Sequence, residues 1–270
     1  MEKHSLSLVV PAYNEEKTIV SVLAKIFKFI PSVYEVIVVD DSSADRTPEI
    51  VHKITLTEPR IKLYRHKVNQ GKTAALRTGF AAATGSIVAV QDADSEYDPQ
   101  EIPELIAPIK AGQADVCLGS RFMVRRAGRV LYYRHFLANK FLTLLNNFLT
   151  DLNITDVETG YKACRTEIAK NMIIESSGFG FEIEFVAKCK KIGARIYEVP
   201  ISYYGRTYEE GKKIVPKDGL DALWYLVKFN LLTNLEKSFQ PEFVKQGLVK
   251  KIHRKCSNHS LIEIGHGFAK

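Results

Sequence analysis

Short apolar runs alternate with amphipathic segments along the first 119 residues of the chain, and this alternation is the strongest constraint on its fold. The runs are short and rich in β-branched residues, as strands are. The segments between them place apolar residues three and four positions apart, as helices do. Strands and helices that alternate in this way predict an α/β fold with a Rossmann-like, mostly parallel central sheet flanked by helices. The predicted strands are 6–10, 34–39, 61–65, 87–91 and 115–119.

Beyond residue 119 the pattern changes to longer helical stretches. Residues 130–149 and 220–232 have apolar side chains at helical spacing, which predicts two C-terminal amphipathic helices, and residues 196–202 predict an extended segment. Residues 236–270 are polar and basic with little periodicity, so we expect a poorly packed tail there. Because 270 residues are enough for one large α/β domain, we predict a single domain over 1–235 followed by a basic tail over 236–270.

Composition narrows the class of protein. A formal net charge of +7 favours an anionic partner such as a nucleotide, a phosphate or an anionic lipid, although a basic solvated surface explains it equally well. The four cysteines form no CxxC pair, which indicates reduced thiols rather than disulfides or a zinc site. A strand-like run begins close to residue 1, and no stretch reaches the ~18 apolar residues of a membrane span. We therefore expect a cytoplasmic protein, soluble or peripherally bound to a membrane.

Asp92 and Asp94 follow directly after the apolar run at 87–91. Ligands of open α/β sheets bind at the carboxyl ends of strands, and alternate residues at a strand end can point to one place. Two carboxylates there suit Mg²⁺ or Mn²⁺, which usually takes one or two protein acids together with phosphate oxygens and water. The acids, with Glu96, therefore predict a metal site facing a pyrophosphate. The competing explanation is that they cap the helix that begins near Pro99.

Polar residues also follow the first two predicted strands. The turn at 11–16 and the acids Asp40 and Asp41 could contact a nucleotide base or ribose, or could simply cap the next helices. Residues 71–73 read Gly-Lys-Thr like the end of a P-loop, but its first glycine is replaced by His66, so that motif fails. Lys72 at a helix N-terminus is still expected near phosphate. A dinucleotide cofactor is not expected, since no GxGxxG fingerprint is present.

Residues 116–150 contain six Arg and Lys residues and no Asp or Glu. Arginine side chains can bind phosphate oxygens through two parallel hydrogen bonds. The amphipathic helix beside them could lie in a membrane interface, or it could pack on the sheet with its arginines in water. A second basic stretch, Arg206 to Lys213, could close over a diphosphate or remain a solvated loop.

Taken together, these segments resemble family 2 glycosyltransferases with the GT-A fold. The closer resemblance is to the polyprenyl-phosphate sugar transferases, the group that includes dolichyl-phosphate mannose synthase. It covers about residues 5 to 230 and rests on an ordered set of short motifs. These are Val10 to Glu15, Val39 to Ser43, Asp92 to Asp94, Gly119 to Phe122, Asp156 to Lys162 and Arg206 to Lys213.

The resemblance implies a role for each matching residue. Asp92 and Asp94 would hold the metal, and Glu96 stands where mannose synthases often have a glutamine. Asp156 would lie near the reaction centre, as a catalytic residue with Asp94, Arg121 and Arg206. The nucleotide sugar would contact Pro11, Tyr13, Glu15, Asp41, Lys72, Asp92 and Lys213, with Arg206 and Lys213 on a loop that closes over the diphosphate. The acceptor phosphate would contact Arg121 and Arg134.

The function that we expect is metal-dependent, inverting transfer of a hexose from UDP- or GDP-hexose to a polyprenyl phosphate at the cytoplasmic face of a membrane. A phosphate with a second pKa near ~6 is already a nucleophile at neutral pH, so the site needs positive charge more than a strong base.

Three alternatives stay open at this stage. With a sugar hydroxyl as acceptor, a general base would be essential, and Asp156 or Glu158 would supply it. A non-catalytic basic nucleotide-binding protein would release no nucleoside diphosphate, and the chain lacks the aromatic signature of RNA-binding domains, so we expect no nucleic acid partner. A nucleotidyltransferase would share the sheet and the acids but usually carries a glycine-rich basic loop after its first strand, where this chain has Pro11 to Asn14.

Overall fold

The computed structural model describes residues 4–123, 132–178, 180–205 and 216–245. Within these residues the strands are β1 (Leu6–Ala12), β2 (Glu35–Asp40), β3 (Ile61–Arg65), β4 (Ile87–Val90), β5 (Val116–Ser120), β6 (Lys162–Arg165) and β7 (Ile196–Pro200). They form a seven-stranded sheet in the order β3-β2-β1-β4-β6-β5-β7. Every neighbouring pair is parallel except the two pairs that contain β6, which runs antiparallel between β4 and β5. The predicted mostly parallel α/β sheet is therefore confirmed.

Helices follow most strands and cover both faces of the sheet. They are α1 (Ile19–Phe29), α2 (Thr47–Thr55), α3 (Lys72–Ala82), α4 (Ile102–Lys110, preceded by a 3₁₀ turn at Pro99–Glu101), α5 (Tyr133–Thr150), α6 (Thr166–Asn171), α7 (Phe181–Lys191), α8 (Pro216–Val227, continued by a π-helical turn at Lys228–Leu232), α9 (Leu235–Ser238) and α10 (Pro241–Lys245). Among these helices, none combines the length and the apolar character needed to cross a bilayer.

The core lies in two layers, one on each face of the sheet. In β1, Leu8 and Val10 pack with α1 and α4 residues on one face, whereas Val9 packs with α3 residues on the other. The strands β1 and β2 are buried along almost their whole length. Burial on both faces is why these strands read as continuous apolar runs rather than as alternating ones.

Strand β6 was not predicted from the sequence, and among the unpredicted elements it matters most for the site. It has only four residues, of which Lys162 and Arg165 are basic, so it shows no apolar run. Its antiparallel direction means that its amino end lies at the same edge as the carboxyl ends of β4 and β5. The segment 156–161 is thereby delivered to the edge where Asp92 and Asp94 emerge.

The expectation of a poorly packed tail from residue 236 is wrong for residues 236–245. Phe239 and Phe243 are buried in the core, stack on each other with ring centroids 5.4 Å apart, and pack in the same cluster as α7 residues. The two helices are too short to show periodicity in the sequence, and isolated phenylalanines do not reveal what they pack against. Residues 246–270 lie outside the described residues.

Candidate active site

The site begins with the turn that follows β4. Gln91 is fully buried and its amide donates to the carbonyl oxygens of Asp92 and Tyr97, at 3.0 and 3.3 Å. Tyr161 Oη donates to Gln91 Oε1 at 2.5 Å, and Ser95 takes a left-handed conformation with φ of 61°. These bonds hold the turn against the sheet, so that Asp92 and Asp94 stand partly exposed at its edge.

Lys72 joins the β4 edge to two other elements. Its ammonium lies 2.9 Å from Asp92 Oδ1 and 3.5 Å from Glu182 Oε1 on α7. Burial alone would lower the pKa of Lys72, but the charges of Asp92 and Glu182 raise it well above its ordinary value. The lysine thus carries a positive charge at the first turn of α3, where phosphate was predicted, while pairing with a predicted metal ligand.

Asp94 and Glu96 are held by the same turn. Asp94 Oδ1 accepts a hydrogen bond from the Glu96 amide at 3.2 Å, and Glu96 Oε2 accepts one from Tyr203 Oη at 2.8 Å. In the described part of the chain, no group of three His, Cys, Asp or Glu side chains is arranged to hold a metal ion. The predicted trio of Asp92, Asp94 and Glu96 is therefore not preformed as a three-carboxylate set, and their metal roles stay predictions.

The aspartate pair nevertheless suits a hard divalent cation. Mg²⁺ commonly takes one or two protein carboxylates and completes its shell with water and substrate phosphates. Asp92 and Asp94 supply such a pair at a partly exposed strand end. A third protein acid is not required.

The segment before β6 packs directly on Asp92. Gly160 permits this approach, since a Cβ at this position would lie only 2.7 Å from Asp92 Oδ2 and 2.9 Å from the Tyr97 ring. The Gly160 amide donates to Tyr97 Oη at 2.9 Å, and the rings of Tyr97 and Tyr161 stack with centroids 4.6 Å apart. Any larger residue would push the segment away from the aspartates.

Asp156 and Arg121 form a buried ion pair at the ends of the segment 156–161 and of β5. Arg121 Nε and one Nη atom each donate to a different oxygen of Asp156, both at 2.7 Å, and the Arg121 amide donates as well. Asp156 is fully buried. The guanidinium carbon also lies 5.2 Å from the ring centroid of Tyr203, the residue that contacts Glu96. The predicted catalytic pair is thus brought beside the aspartate turn.

Two further acids and a lysine lie close to these groups. Burial, and then the charge of Glu182, raise the pKa of Glu158 from 4.5 to about 8. Burial lowers the pKa of Lys162 from 10.5 to about 8, although the charges of Glu182 and Glu158 oppose this. Lys162 Nζ donates to the carbonyl oxygens of Val157 and Thr159. The sequence assigned no role to Glu182 or Lys162, because nothing in a sequence marks a charge as buried.

Asp41 lies deeper than a simple nucleotide contact would require. Its carboxylate accepts hydrogen bonds from the amides of Gln70 and Gly71, and it lies 2.6 Å from His66 Nδ1. These contacts fix the loop that leads into α3 and Lys72. Its predicted contact with the nucleotide stays a prediction.

The turn after β1 is anchored to the turn after β2. The amides of Asn14, Glu15 and Glu16 donate to the side chains of Ser43, Thr47 and Asp45, respectively. Tyr13 is exposed, and Pro11 and Glu15 are partly buried in the same turn. The predicted nucleotide-binding residues of this turn are therefore at the carboxyl edge of the sheet, next to β2.

Some of the predicted basic residues lie within the described residues and others lie outside them. Arg134 is exposed on the first turn of α5. Arg206 and Lys213, predicted to close over the diphosphate, lie outside the described residues, as do the arginines at 125, 126 and 129.

Solved structures of other proteins resemble this fold. The glucosyl-3-phosphoglycerate synthase of Mycobacterium tuberculosis superposes with a TM-score of 0.65 at 22% identity, covering 84% of this chain and 81% of that one. Another structure of the same synthase, solved with Mn²⁺, UDP and phosphoglyceric acid, gives a TM-score of 0.64. At this identity the likeness establishes the GT-A-like fold.

Comparison of sequences gives relatives with a higher identity to this chain than the synthase structures have. The dolichol-phosphate mannosyltransferase of Pyrococcus furiosus is 30% identical over 212 residues, which is 77% of this chain and 58% of that protein. The polyprenol monophosphomannose synthase of Mycolicibacterium smegmatis is 28% identical over 206 residues, covering 74% of this chain and 77% of that protein. The chain thus spans less than two thirds of the Pyrococcus protein.

The family model of glycosyl transferase family 2 matches residues 7–173. This range holds β1 to β6 and includes Asp92, Asp94, Arg121 and Asp156. Because the match covers more than half of the chain, the protein belongs to glycosyl transferase family 2 and is a glycosyltransferase.

Proposed function

We propose that this glycosyltransferase moves a hexose from a nucleoside diphosphate sugar to a polyprenyl phosphate, with inversion at the anomeric carbon and with a divalent cation. The observation that carries the proposal is that two partly exposed carboxylates and two partly buried cationic side chains meet at one edge of the sheet. Asp92 and Asp94 suit the cation, and Lys72 and Arg121 lie within reach of the same turn. The names of the two mannosyltransferase relatives support the choice of acceptor.

The state of Asp156 favours a phosphate acceptor over a hydroxyl acceptor. A hydroxyl needs a base to remove its proton, whereas a phosphate dianion needs none. Both oxygens of Asp156 already accept hydrogen bonds from Arg121, so the carboxylate is committed to orienting that guanidinium. We propose that Arg121, held in this way, stabilises phosphate charge during transfer.

The donor side of the reaction needs compensation for the charge that grows on the departing diphosphate. Asp92 and Asp94 would hold the cation, which supplies Lewis acidity toward the phosphate oxygens. Lys72 adds a positive charge that water screens less than a fully exposed one, because its side chain is partly buried. Arg206, Lys213 and Arg134 remain predicted contributors to the same charge balance. The exposed turn after β1, with Pro11, Tyr13 and Glu15, remains the predicted nucleotide contact, together with Asp41.

Two helices provide a surface for the lipid part of the acceptor. One side of α5 packs on the core through Leu142, Leu145 and Leu149. The other side of α5 exposes large apolar side chains, and so do α8, which contacts α5, and the turn that continues α8. We call these side chains together the apolar face. The apolar face consists of Tyr133, Phe136, Leu137, Phe141, Leu144 and Phe148 of α5, and of Leu220, Trp224, Val227, Leu231 and Leu232.

We propose that the apolar face binds the membrane that contains the polyprenyl phosphate. Phe148 is 84% exposed, so the core does not account for it. Monomeric soluble proteins rarely expose this much apolar surface in one place, and such patches mark protein or membrane contacts. A net charge of +7 also favours an anionic membrane surface.

A second candidate function uses a sugar hydroxyl as acceptor, with Glu158 as its base. One observation favours this candidate: Glu158 Oε1 is buried and has no hydrogen-bond partner among the described residues. However, the pKa of about 8 keeps Glu158 protonated at neutral pH, and a protonated acid cannot accept the hydroxyl proton. The phosphate acceptor is therefore the better supported proposal.

The test is a donor and acceptor panel. UDP- and GDP-hexoses are incubated with Mg²⁺ or Mn²⁺ and either a polyprenyl phosphate or a sugar acceptor, and nucleoside diphosphate release is measured. We expect product that partitions into organic solvent with the lipid. A water-soluble glycoside would support the second candidate, and the absence of hexose transfer to either acceptor would contradict both.

Asp94→Ala should lower the transfer rate by more than about 100-fold, because the site loses one of its two carboxylates for the cation. The matched control is Glu167→Ala, which removes an exposed acid from the first turn of α6, after the carboxyl end of β6 and therefore at the opposite edge of the sheet. Retained turnover and retained metal dependence in the Asp94 variant would exclude the role given to this residue.

The membrane proposal is tested with anionic lipid vesicles. Leu144→Ser together with Phe148→Ser should weaken vesicle binding by about tenfold or more, because each side chain contributes roughly 1.5–3 kcal/mol on full burial. Tyr34→Ser removes an exposed aromatic ring far from the apolar face and serves as the control. Equal binding of the double variant and the control would contradict the proposed surface.

A further inference from the structure

Two acids near Asp92 have buried oxygens that accept no hydrogen bond from any described residue. They are Glu158 Oε1 and Glu182 Oε2, and the Glu182 side chain is only 5% exposed. Buried polar atoms are nearly always paired, since an unpaired acceptor loses its bonds to water without compensation. Two such oxygens at one edge of the sheet call for a ligand that donates hydrogen bonds.

Glu184, two residues further along α7, shows how the same helix pairs a structural acid. One Glu184 oxygen accepts the Glu175 amide and the other accepts the Ser176 amide, both at 2.8 Å. Lys188 lies 2.6 Å from Glu184 Oε1 as well. The fold thus pairs one buried acid of this helix fully and leaves one oxygen of Glu182 open. The difference is in their surroundings, because Glu184 faces the segment 173–176 whereas Glu182 faces the site.

The position of the two acids follows from their contacts. Glu182 Oε1 lies 3.5 Å from Lys72 Nζ, which in turn lies 2.9 Å from Asp92. Glu158 stands between Asp156, which holds Arg121, and Gly160, which abuts Asp92. The two acids are therefore flanked by the proposed diphosphate side and by the proposed acceptor side, where the sugar must lie during transfer.

The charge of this region identifies the kind of ligand. Lys72 interacts with Glu182, and Lys162 interacts with both Glu182 and Glu158. A second metal ion would meet two ammonium groups, whereas Glu158 keeps its proton at neutral pH and adds no negative charge, so a cation gains little here. A neutral ligand with several hydroxyl groups can donate hydrogen bonds without disturbing the charge balance.

We infer that Glu158 and Glu182 recognise hydroxyl groups of the transferred hexose. This inference rests on the proposed function and adds a specificity site to it. The sugar hydroxyls donate to Glu158 Oε1 and Glu182 Oε2, which replaces the water that these oxygens lose on folding. A hexose that lacks the matching hydroxyl leaves a buried acceptor unpaired, and such sites discriminate strongly against the deoxy analogue.

The experiment compares the binding of UDP and GDP with the binding of their hexose conjugates by titration calorimetry on the full chain, without acceptor. Glu182→Gln and Glu158→Gln should each weaken binding of the hexose conjugate by about tenfold or more while leaving nucleoside diphosphate binding within about twofold. Glu184→Gln is the matched control, because it changes the same residue type on the same helix outside the site. It should lower the melting temperature without changing the ratio of the two affinities.

A second measurement needs no variant. Deoxy-hexose conjugates of the preferred nucleotide should bind the unchanged protein about tenfold or more weakly at one or two hydroxyl positions, and the variants should lose that preference. If the hexose conjugate binds tightly but neither variant changes its affinity, the hydroxyl site is wrong and the proposed function survives. If no hexose conjugate binds more tightly than the bare nucleotide, and no transfer occurs, the proposed function and this inference both fail.

Discussion

Glu35 and Glu158 are two largely buried glutamates at opposite edges of one sheet, and their surroundings shift their pKa values in opposite directions. Glu35 lies at the amino end of β2, where Ser7, Thr84 and Lys62 all donate to its carboxylate at 2.5 to 2.8 Å. Burial raises the pKa of Glu35, but these hydrogen bonds outweigh it and lower the pKa to about 2. Glu158, at the carboxyl edge, has an unpaired buried oxygen, and its pKa rises to about 8.

The difference in hydrogen bonding distinguishes a glutamate that stabilises the fold from one that lies at the candidate site. At the amino edge the chain provides hydrogen-bond donors for both carboxylate oxygens of Glu35, so its charge is stabilised without a ligand. At the carboxyl edge the chain buries acids beside Lys72 and Lys162 but leaves acceptor capacity open. Functional sites commonly carry such incompletely paired groups and such displaced pKa values. Stability measurements on matched variants can test whether the two edges differ in this way.

The largest effect is expected from Glu35→Gln. The substitution removes the charge that pairs with Lys62 and forces an amide among donors, which should destabilise the protein by about 2 kcal/mol. Glu158 keeps its proton at neutral pH, so Glu158→Gln replaces one neutral group by another, and its cost should stay below about 1 kcal/mol. Urea denaturation at neutral pH measures both. Similar losses in the two variants would contradict the contrast between the edges.

The sequence predicted most of the fold because most elements are long or repetitive enough to show a period. The predicted strand at 61–65 coincides with β3, and the amphipathic helix predicted at 130–149 corresponds to α5 at Tyr133–Thr150. The elements missed are short and show no period: β6 with its four residues, and the helices α6, α9 and α10. Their position depends on tertiary packing, which the local sequence does not show.

The sequence predicted which residues lie near the site, but it did not predict how their charges are paired. Strand ends pointed to Asp92 and Asp94, and the structure brings Arg121 and Asp156 beside them. Lys72 was expected near phosphate, yet its pairing with Glu182 could not be foreseen, since 110 residues separate them in the chain. Burial and unpaired acceptors appear only when distant segments meet, which is why Glu182 carried no signal.

The next effect concerns pH and should separate Glu158 from its glutamine variant. The pKa of Glu158 is about 8 in the folded protein against 4.5 ordinarily, so the folded state keeps a proton that the unfolded chain releases in this interval. The stabilisation from this group is complete below about pH 4.5 and is lost as the pH rises through about 8. Between these limits, the unchanged protein should lose up to about 1.4 kcal/mol per pH unit relative to Glu158→Gln, which is the free energy of one pKa unit.

Denaturation series of both proteins across this interval measure the effect. Glu35 does not disturb the comparison, because its pKa of about 2 places its own loss of stability at acid pH, as the pH falls from 4.5 through 2. Parallel stability curves for the two proteins would show that Glu158 titrates normally, and the contrast between the edges would then rest on Glu35 alone.

The smallest effect is expected from Thr84→Val, which removes one donor from Glu35 and leaves the others. The Thr84 hydroxyl donates to Glu35 Oε1 at 2.8 Å, while the Thr84 amide, Ser7 and Lys62 keep their bonds. Since Thr84 is exposed, water can replace its hydroxyl, and the loss should be about 0.5 kcal/mol at neutral pH.

The cost of Thr84→Val should shrink as the pH falls toward 2, because protonation of Glu35 removes the charge that strengthens the bond. Thr57→Val is the matched control, since its hydroxyl is also exposed but donates to the Ile54 carbonyl, which does not titrate. A loss in the control that follows the same pH dependence would mean that the effect belongs to surface threonines in general. A pH-dependent loss confined to Thr84→Val would show that several hydrogen-bond donors together keep Glu35 charged. Glu158 lacks such a set of donors, since its Oε1 has none among the described residues.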